Sequence, residues 1–271
     1  LATMMTFSGT LAIIAPYAAG LVLDWQGIDT GMRLLYGLMA IAYALGATIN
    51  LVFIQETASP KTEELTLARL STTLKETYTG LPAFLRQFPR TLKALTALII
   101  LAFMANGVAG PFWIIYASDH IGLSSSQWGL VLLIEAGLGH LVRIPAGFLA
   151  DRYGRTRFIL VSMFLCTATI PLFVFAQTLT QVIAIRSVVA ITMAFFGPAC
   201  GALLADIIPR DIRGRVMAAI GRGSVRIGAA TGGTGGPGIG FLTIIPLALA
   251  SLAGGFLYEA HNALPWAFLL A

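Results

Sequence analysis

Gly147-Phe-Leu-Ala-Asp151-Arg152-Tyr-Gly154-Arg155-Thr-Arg157 decides the fold, because this short basic segment separates two apolar runs that lack charge clusters, 127–149 and 157–177. Each run is about 20 residues long, enough at about 1.5 Å per residue to cross a hydrocarbon core of about 30 Å. A tight polar link between two such runs is a helical hairpin with its turn at a membrane surface. Each residue has a role in that turn. Gly147 allows neighbouring helices to approach closely, and Gly154 permits the reversal. Asp151 can cap a helix or face its positive N-terminus, while Arg152, Arg155 and Arg157 can pair with acids or lipid phosphates.

The rest of the chain repeats the pattern. Further apolar runs cover 4–23, 33–54, 93–117, 181–205 and 238–258, and another starts near 264. Seven full spans and the beginning of an eighth are therefore predicted. Of the 271 residues, 57% are hydrophobic and 11% charged, with a mean hydropathy of +0.85. That composition excludes a soluble enzyme, a disordered tail and a disulfide-stapled secreted module. Cys166 and Cys200 both fall inside apolar runs, where they read as small hydrophobes. The net charge of +5 does not indicate nucleic acid, because the basic residues sit between the runs. Leu1 has no basic n-region before it, and the run after Pro265 is too short to span, so the chain reads as an internal piece of a longer protein.

Basic residues sort the connections. Lys61, Arg69, Lys75, Arg86, Arg90, Lys93, Arg152, Arg155, Arg157, Arg210, Arg213, Arg215, Arg222 and Arg226 all fall on one side of the expected alternation. Arg33 alone falls opposite, and Arg143 and Arg186 lie within spans. The positive-inside bias makes the first side cytoplasmic and the protein a multi-pass component of the cell membrane. The two long connections differ in character. Gln55 to Leu92 has helical apolar spacing at Leu65, Leu67, Leu70 and Leu74, so an amphipathic surface helix and a boundary between two halves are expected there. Asp206 to Pro237 combines basic residues with Gly228-Ala-Ala-Thr-Gly-Gly-Thr-Gly-Gly-Pro-Gly238. No Gly-Lys-Ser/Thr follows, so a flexible linker is expected rather than a phosphate loop.

The Gly-x-x-x-Asp-x-x-Gly-Arg spacing of 147–155 resembles the signature loop of the major facilitator superfamily, the twelve-helix secondary transporters. Other stretches agree with it. Ala184-Ile-Arg186, Phe196-Gly-Pro198-Ala and Leu204-Ala-Asp206-Ile-Ile-Pro209-Arg-Asp-Ile-Arg213-Gly-Arg215 resemble the fourth or tenth helix and its exit loop. Ala15-Pro16 with Gly20, Trp25 and Arg33 resembles the fifth helix running into the sixth. Ala15-Pro16-Tyr-Ala-Ala19-Gly20 departs from the antiporter-associated Gly-Pro-x-x-Gly-Gly core by two alanines. The resemblance implies an all-α polytopic membrane protein, a major-facilitator-like helical bundle that is incomplete. Residues 1–54 would be the last two helices of one half, 55–92 the cytoplasmic central loop, and 93–271 five helices and a truncated sixth of the other half. It further implies alternating-access transport of a small molecule, with membrane lipids and the remaining helices of the same protein as partners. Without those helices the chain is not expected to catalyse saturable transport. The signature carboxylate, Asp151, would meet the cytoplasmic start of the fifth helix in the outward-open state. A local bond from Asp151 to the turn at Tyr153 to Arg155 is the alternative.

Ionisable groups in a bilayer are costly, which makes each a candidate site residue. Glu135 lies mid-span and can carry a proton or face substrate; equally, it can be the structural partner of a buried arginine. His140, five residues on, is turned about 140° from Glu135, so the two form no contiguous pair. Arg143 is expected to reach the cytoplasmic interface and brace the signature loop. Arg186, near the outer end of its span, can snorkel outward or form a buried pair. Asn106, followed by Gly107 and Gly110-Pro111, marks a weak point in its helix, where carbonyls can be freed toward a cavity or simply packed. The chain has no His-Glu-x-x-His, Gly-x-Ser-x-Gly, Cys/His cluster or P-loop, so neither an enzyme nor a bound metal or cofactor is expected. A non-transporting membrane scaffold is the alternative to a carrier.

Overall fold

The apolar runs form helices because the backbone has no water to bond to inside a bilayer and must satisfy itself within each segment. The computed structural model describes residues 2–53, 85–86, 88–208, 212–221 and 240–267, with the side chains of 2–12 and of 215 left out of that description. The long helices are α1 (Ala2–Gln26), α2 (Ile28–Phe53), α3 (Arg90–Ala109), α5 (Ser125–Tyr153), α6 (Arg155–Thr169), α7 (Leu179–Ile207) and α9 (Phe241–Ala260). Short ones are α4 (Phe112–Asp119), α8 (Arg213–Ile220) and α10 (Leu264–Ala267), and a 3-10 turn, Ile170–Phe175, extends α6.

These helices overrun the predicted apolar runs by two to five residues at most ends, because capping and basic residues at the bilayer surface still belong to the helix. Ser124 shows how one begins. Its hydroxyl accepts from the Gln127 N–H at 3.3 Å while the Gln127 side chain accepts from the Ser124 N–H at 2.9 Å, a reciprocal cap that fixes the start of α5. Between α3 and α4 the chain does not unwind. Gly110 keeps helical angles (φ −53°, ψ −47°) and donates to the Asn106 carbonyl at 2.6 Å. Pro111 has no N–H to give to the carbonyl four residues back, so the ladder is interrupted there without a change of direction into a loop. Together α3 and α4 make one span, Arg90–Asp119.

Two buried clusters record how the helix ends are gathered. The first joins Phe88, Leu92, Ala150, Ile159, Leu204, Ile208, Val216 and Ile220. The second joins Trp113, Tyr116, Leu123, Trp128, Phe173, Val182 and Trp266. The first therefore holds the start of α3, the end of α5, the start of α6 and the end of α7; the second holds their opposite ends. This is the alternation of antiparallel spans, and it places the basic connections at 86–93, 152–157 and 213 together at one end, called here the basic end. The other is the far end. In the far-end cluster Trp113, Tyr116, Phe173 and Trp266 pack in tilted and edge-to-face pairs with centroids 4.4–6.0 Å apart, and Tyr116 donates its hydroxyl to the Val174 carbonyl at 3.0 Å.

The Asp206 to Pro237 connection includes a helix that the sequence did not suggest, since α8 carries fully buried Val216, Ala219 and Ile220 into the basic-end core. Arg213 anchors it by donating to the last carbonyls of α7, Ala205 at 2.7 Å and Ile208 at 3.3 Å, which are orphaned by the helix end. The glycine-rich stretch, and the amphipathic helix expected within 55–84, lie outside the described residues.

α1 packs along α5, α5 and α6 along α7, and α3 along α9. Small residues set these seams. A side chain at Gly254 would collide with the backbone of Val108, and one at Gly129 would come within 2.5 Å of the Pro16 carbonyl oxygen. Helix α2 is exposed along nearly all its length, including Leu38, Ile41, Tyr43 and Phe53, as a helix facing acyl chains can be.

Candidate functional site

Glu135 and Arg186 come together. Glu135 lies ten residues into α5, about 15 Å from its start, and Arg186 seven residues into α7, about 10 Å from its start. Both helices begin at the far end, so the long guanidinium side chain covers the remaining few ångströms. The Arg186 Nε donates to Glu135 Oε2 at 2.9 Å, and Nη2 donates to the same oxygen. The arginine side chain is 1% exposed and the glutamate 21%. Two indoles wall the cation, with the guanidinium carbon 4.5 Å from the centre of the Trp113 ring and 6.0 Å from that of Trp128. Snorkelling of Arg186 is thereby corrected. The helix begins two turns before it, and the aromatic wall turns the side chain sideways into the bundle rather than outward. Of the readings open for Glu135, the pairing with a buried arginine is the one observed.

The signature segment folds as a hairpin with a single residue between helices. Gly154, at φ +101°, is the last cap of α5 and the first of α6, a conformation that side-chain-bearing residues rarely adopt. Asp151 makes the local contact. Arg155 donates to its Oδ1 through Nε and Nη2, both at 2.8 Å, and through Nη1 to Asp206 at the end of α7. One guanidinium thus ties the hairpin to the neighbouring helix. Both carboxylates are about two-thirds exposed (62% and 66%), so the cluster is a surface one. Arg152 lies over the Tyr153 ring at 5.6 Å, and Arg157 is exposed. Gly147 does not do what was expected of it: a side chain there would meet no atom within 4 Å. The close approaches fall instead at Gly20, Gly107, Gly129, Gly240 and Gly254.

The other candidates stay apart from both clusters. His140 is exposed and its Nδ1 sits 2.7 Å from the Ala136 carbonyl of its own helix. Arg143 is exposed and joins neither cluster, so the expected brace of the signature loop is not formed. Asn106 is buried beside an apolar cavity lined also by Ala102, Ala109, Trp113, Cys166 and Phe196. At about 70 Å³ this cavity is far below the roughly 300–1,000 Å³ of sites for drug-sized ligands. Burial among those groups pushes the Cys166 side chain into the role of a small hydrophobe, as read from the sequence. Among the described residues no cluster of His, Cys, Asp or Glu has the make-up of a metal site.

Residues 95–271 match the family model described as Major Facilitator Superfamily. The chain belongs to that family. Among curated relatives it is 30% identical over 170 residues to the uncharacterized MFS-type transporter YhjO of Bacillus subtilis strain 168, covering 62% of this chain and 38% of that protein. It is 27% identical over 181 residues to Multidrug resistance protein 1 of the same organism, covering 67% and 41%. The uncharacterized MFS-type transporter MJ1560 of Methanocaldococcus jannaschii is 30% identical over 111 residues, covering 41% and 28%. The chain thus spans well under half the length of the curated relatives it matches.

Within this major-facilitator chain, four residues that make these and neighbouring polar contacts were given no role by the sequence alone. Trp113 and Trp128 have no sequence signal linking them to an arginine 73 and 58 positions away, since only tertiary packing brings them together. Asp206 had one, as an acid in the last turn of α7, where its own helix dipole disfavours it. Asp24 carried the same signal in the last turn of α1.

Proposed function

We propose that the protein containing this chain is a secondary active transporter of the cell membrane, working by alternating access, with its basic end in the cytoplasm and its movement of a small molecule coupled to protons through Glu135. In this reading α1 and α2 belong to one half of the transporter, and residues 93–271 to the other. The observation that carries the coupling is the Glu135–Arg186 pair, neutral as a unit and enclosed by indoles. A proton placed on the Glu135 carboxylate cancels the negative charge and leaves the guanidinium as an uncompensated cation in an apolar wall. That is costly unless water or an anionic group can reach it. Protonation therefore favours a conformation that opens the site, and loss of the proton favours a closed one, which ties proton movement to the change of access. The likeness to Multidrug resistance protein 1 supports drug-like organic molecules as the first substrates to try.

The test is flux in liposomes with the full-length protein under an imposed pH gradient. Wild type is expected to move substrate in proportion to the gradient, and Glu135→Gln to lose that dependence while still binding substrate. Flux that is independent of the gradient in wild type defeats the coupling. No flux of any substrate tried favours the scaffold alternative.

A further inference from the structure

Asp24 lies two residues from the end of α1, where a carboxylate opposes its own helix dipole. Its oxygens are used elsewhere. Oδ1 accepts from the backbone N–H of Ser125 and Oδ2 from that of Ser126, each at 3.0 Å, across about 100 residues of sequence. Ser125 and Ser126 are the first two residues of α5, and the reciprocal cap of Ser124 and Gln127 already occupies the Gln127 N–H. The first-turn donors of α5 are thus divided between its own capping residues and a carboxylate from another helix. The positive end of α5 favours that charge, and the hydrogen bonds from the three serines at 124–126 hold the Asp24 carboxyl below its ordinary value. Directly beneath, the helices touch backbone to backbone: a side chain at Gly20 would collide with Ser125 and Ser126, and one at Gly129 with Pro16 and Tyr17. No side chain separates α1 from α5 at this level, so separation of the two would break both hydrogen bonds to Asp24 together.

We propose that Asp24 is a latch between α1 and α5 that keeps the far end of this seam closed, and that its release from the Ser125 and Ser126 amides is a required step when that end opens. The proposal rests on the alternating-access reading, since it assigns α1 and α5 to halves that move apart.

The experiment places nitroxide labels at Trp25→Cys and Ser118→Cys in the full-length protein in liposomes and measures the distribution of distances between them. Both positions are exposed. Asp24→Ala removes both acceptors, Asp24→Asn keeps one, and Ser125→Pro removes one donor while suiting the first position of a helix, where an N–H has no partner within the helix. Two charge-assisted bonds are lost in Asp24→Ala, so the separated population is expected to rise by roughly tenfold or more, with smaller rises in the other two. Ser125→Pro keeps the conclusion independent of any folding defect of the Asp24 variants. A flux-competent protein whose distances are the same in wild type, Asp24→Ala and Ser125→Pro overturns the latch alone and leaves the transport reading standing. Absence of flux in wild type strikes the transport reading instead.

Discussion

Truncating Glu135 to alanine leaves the Arg186 guanidinium buried without its carboxylate, and the structure sets the size of the effect. Removing one member of a buried ion pair costs about 3–5 kcal/mol, because the remaining charge stays desolvated. Here the indole of Trp113 continues to face the cation, and such a contact contributes about 0.5–2 kcal/mol. Glu135→Ala should therefore fall at the lower end, about 3 kcal/mol. Arg186→Met should cost less, about 2 kcal/mol, because the abandoned carboxylate is 21% exposed and can take up a proton. The double variant Glu135→Ala, Arg186→Met removes both charges together and leaves mainly lost packing, for which about 2 kcal/mol or less is expected. The two residues should therefore show a coupling of about 3 kcal/mol or more in a double-mutant cycle measured by denaturant unfolding of the reconstituted protein. Ordinary polar contacts between membrane helices average about 0.6 kcal/mol in such cycles. A coupling no larger than that would refute the claim that the pair is a desolvated unit.

Gly129→Ala should loosen the α1–α5 seam and lower the melting temperature, because its new methyl meets the Pro16 backbone, whereas Gly147→Ala should leave it unchanged; the reverse order in a thermal melt would contradict the packing described. Gly154→Ala forces a side chain to φ +101° and should cost about 1–2 kcal/mol, read in the same melt. Asp24 has a carboxyl held below its ordinary value, so the α1–α5 contact gains stability that is fully present above that ordinary value and is lost as the pH falls through the lowered one. Hydrogen exchange at the Ser125 and Ser126 amides should accordingly show protection that is flat from pH 8 to pH 5 after correction for intrinsic rates and falls only in stronger acid. Arg155→Lys should shift the melting point little, corresponding to about 1 kcal/mol or less, since both its carboxylate partners are mostly exposed.

The bundle was legible because bilayer thickness imposes a length on every span and charge imposes a side on every connection, and both are written locally. The 147–157 segment showed its hairpin and its special glycine for the same reason: Gly154 is dictated by the turn it occupies. What was illegible depends on which faces meet. A glycine in a helix announces permission for close approach without naming the partner, so Gly147 was credited with a contact that Gly129 and Gly20 make. Arg186 was read from its distance to the helix end, which allows either snorkelling or burial; the indoles of Trp113 and Trp128 decide between them, and their position follows from how α4 and α5 pack on α7. Asp24 and Asp206 were readable in principle, as acids placed where their own helices disfavour them.

The indole rings that flank the buried guanidinium also give the protein a built-in optical signal. Trp113, Trp128 and Trp266 are buried, and their ring N–H groups have no hydrogen-bond partner among the described residues, whereas Trp25, next to Asp24, is 83% exposed. Emission from the first three should lie to the blue and resist aqueous quenchers, and emission from the fourth should lie to the red and be quenched. A change in the charge state beside Trp113 and a parting of the helices beside Trp25 would then appear in different parts of one unlabelled fluorescence spectrum, so that their order in time can be followed after a pH jump.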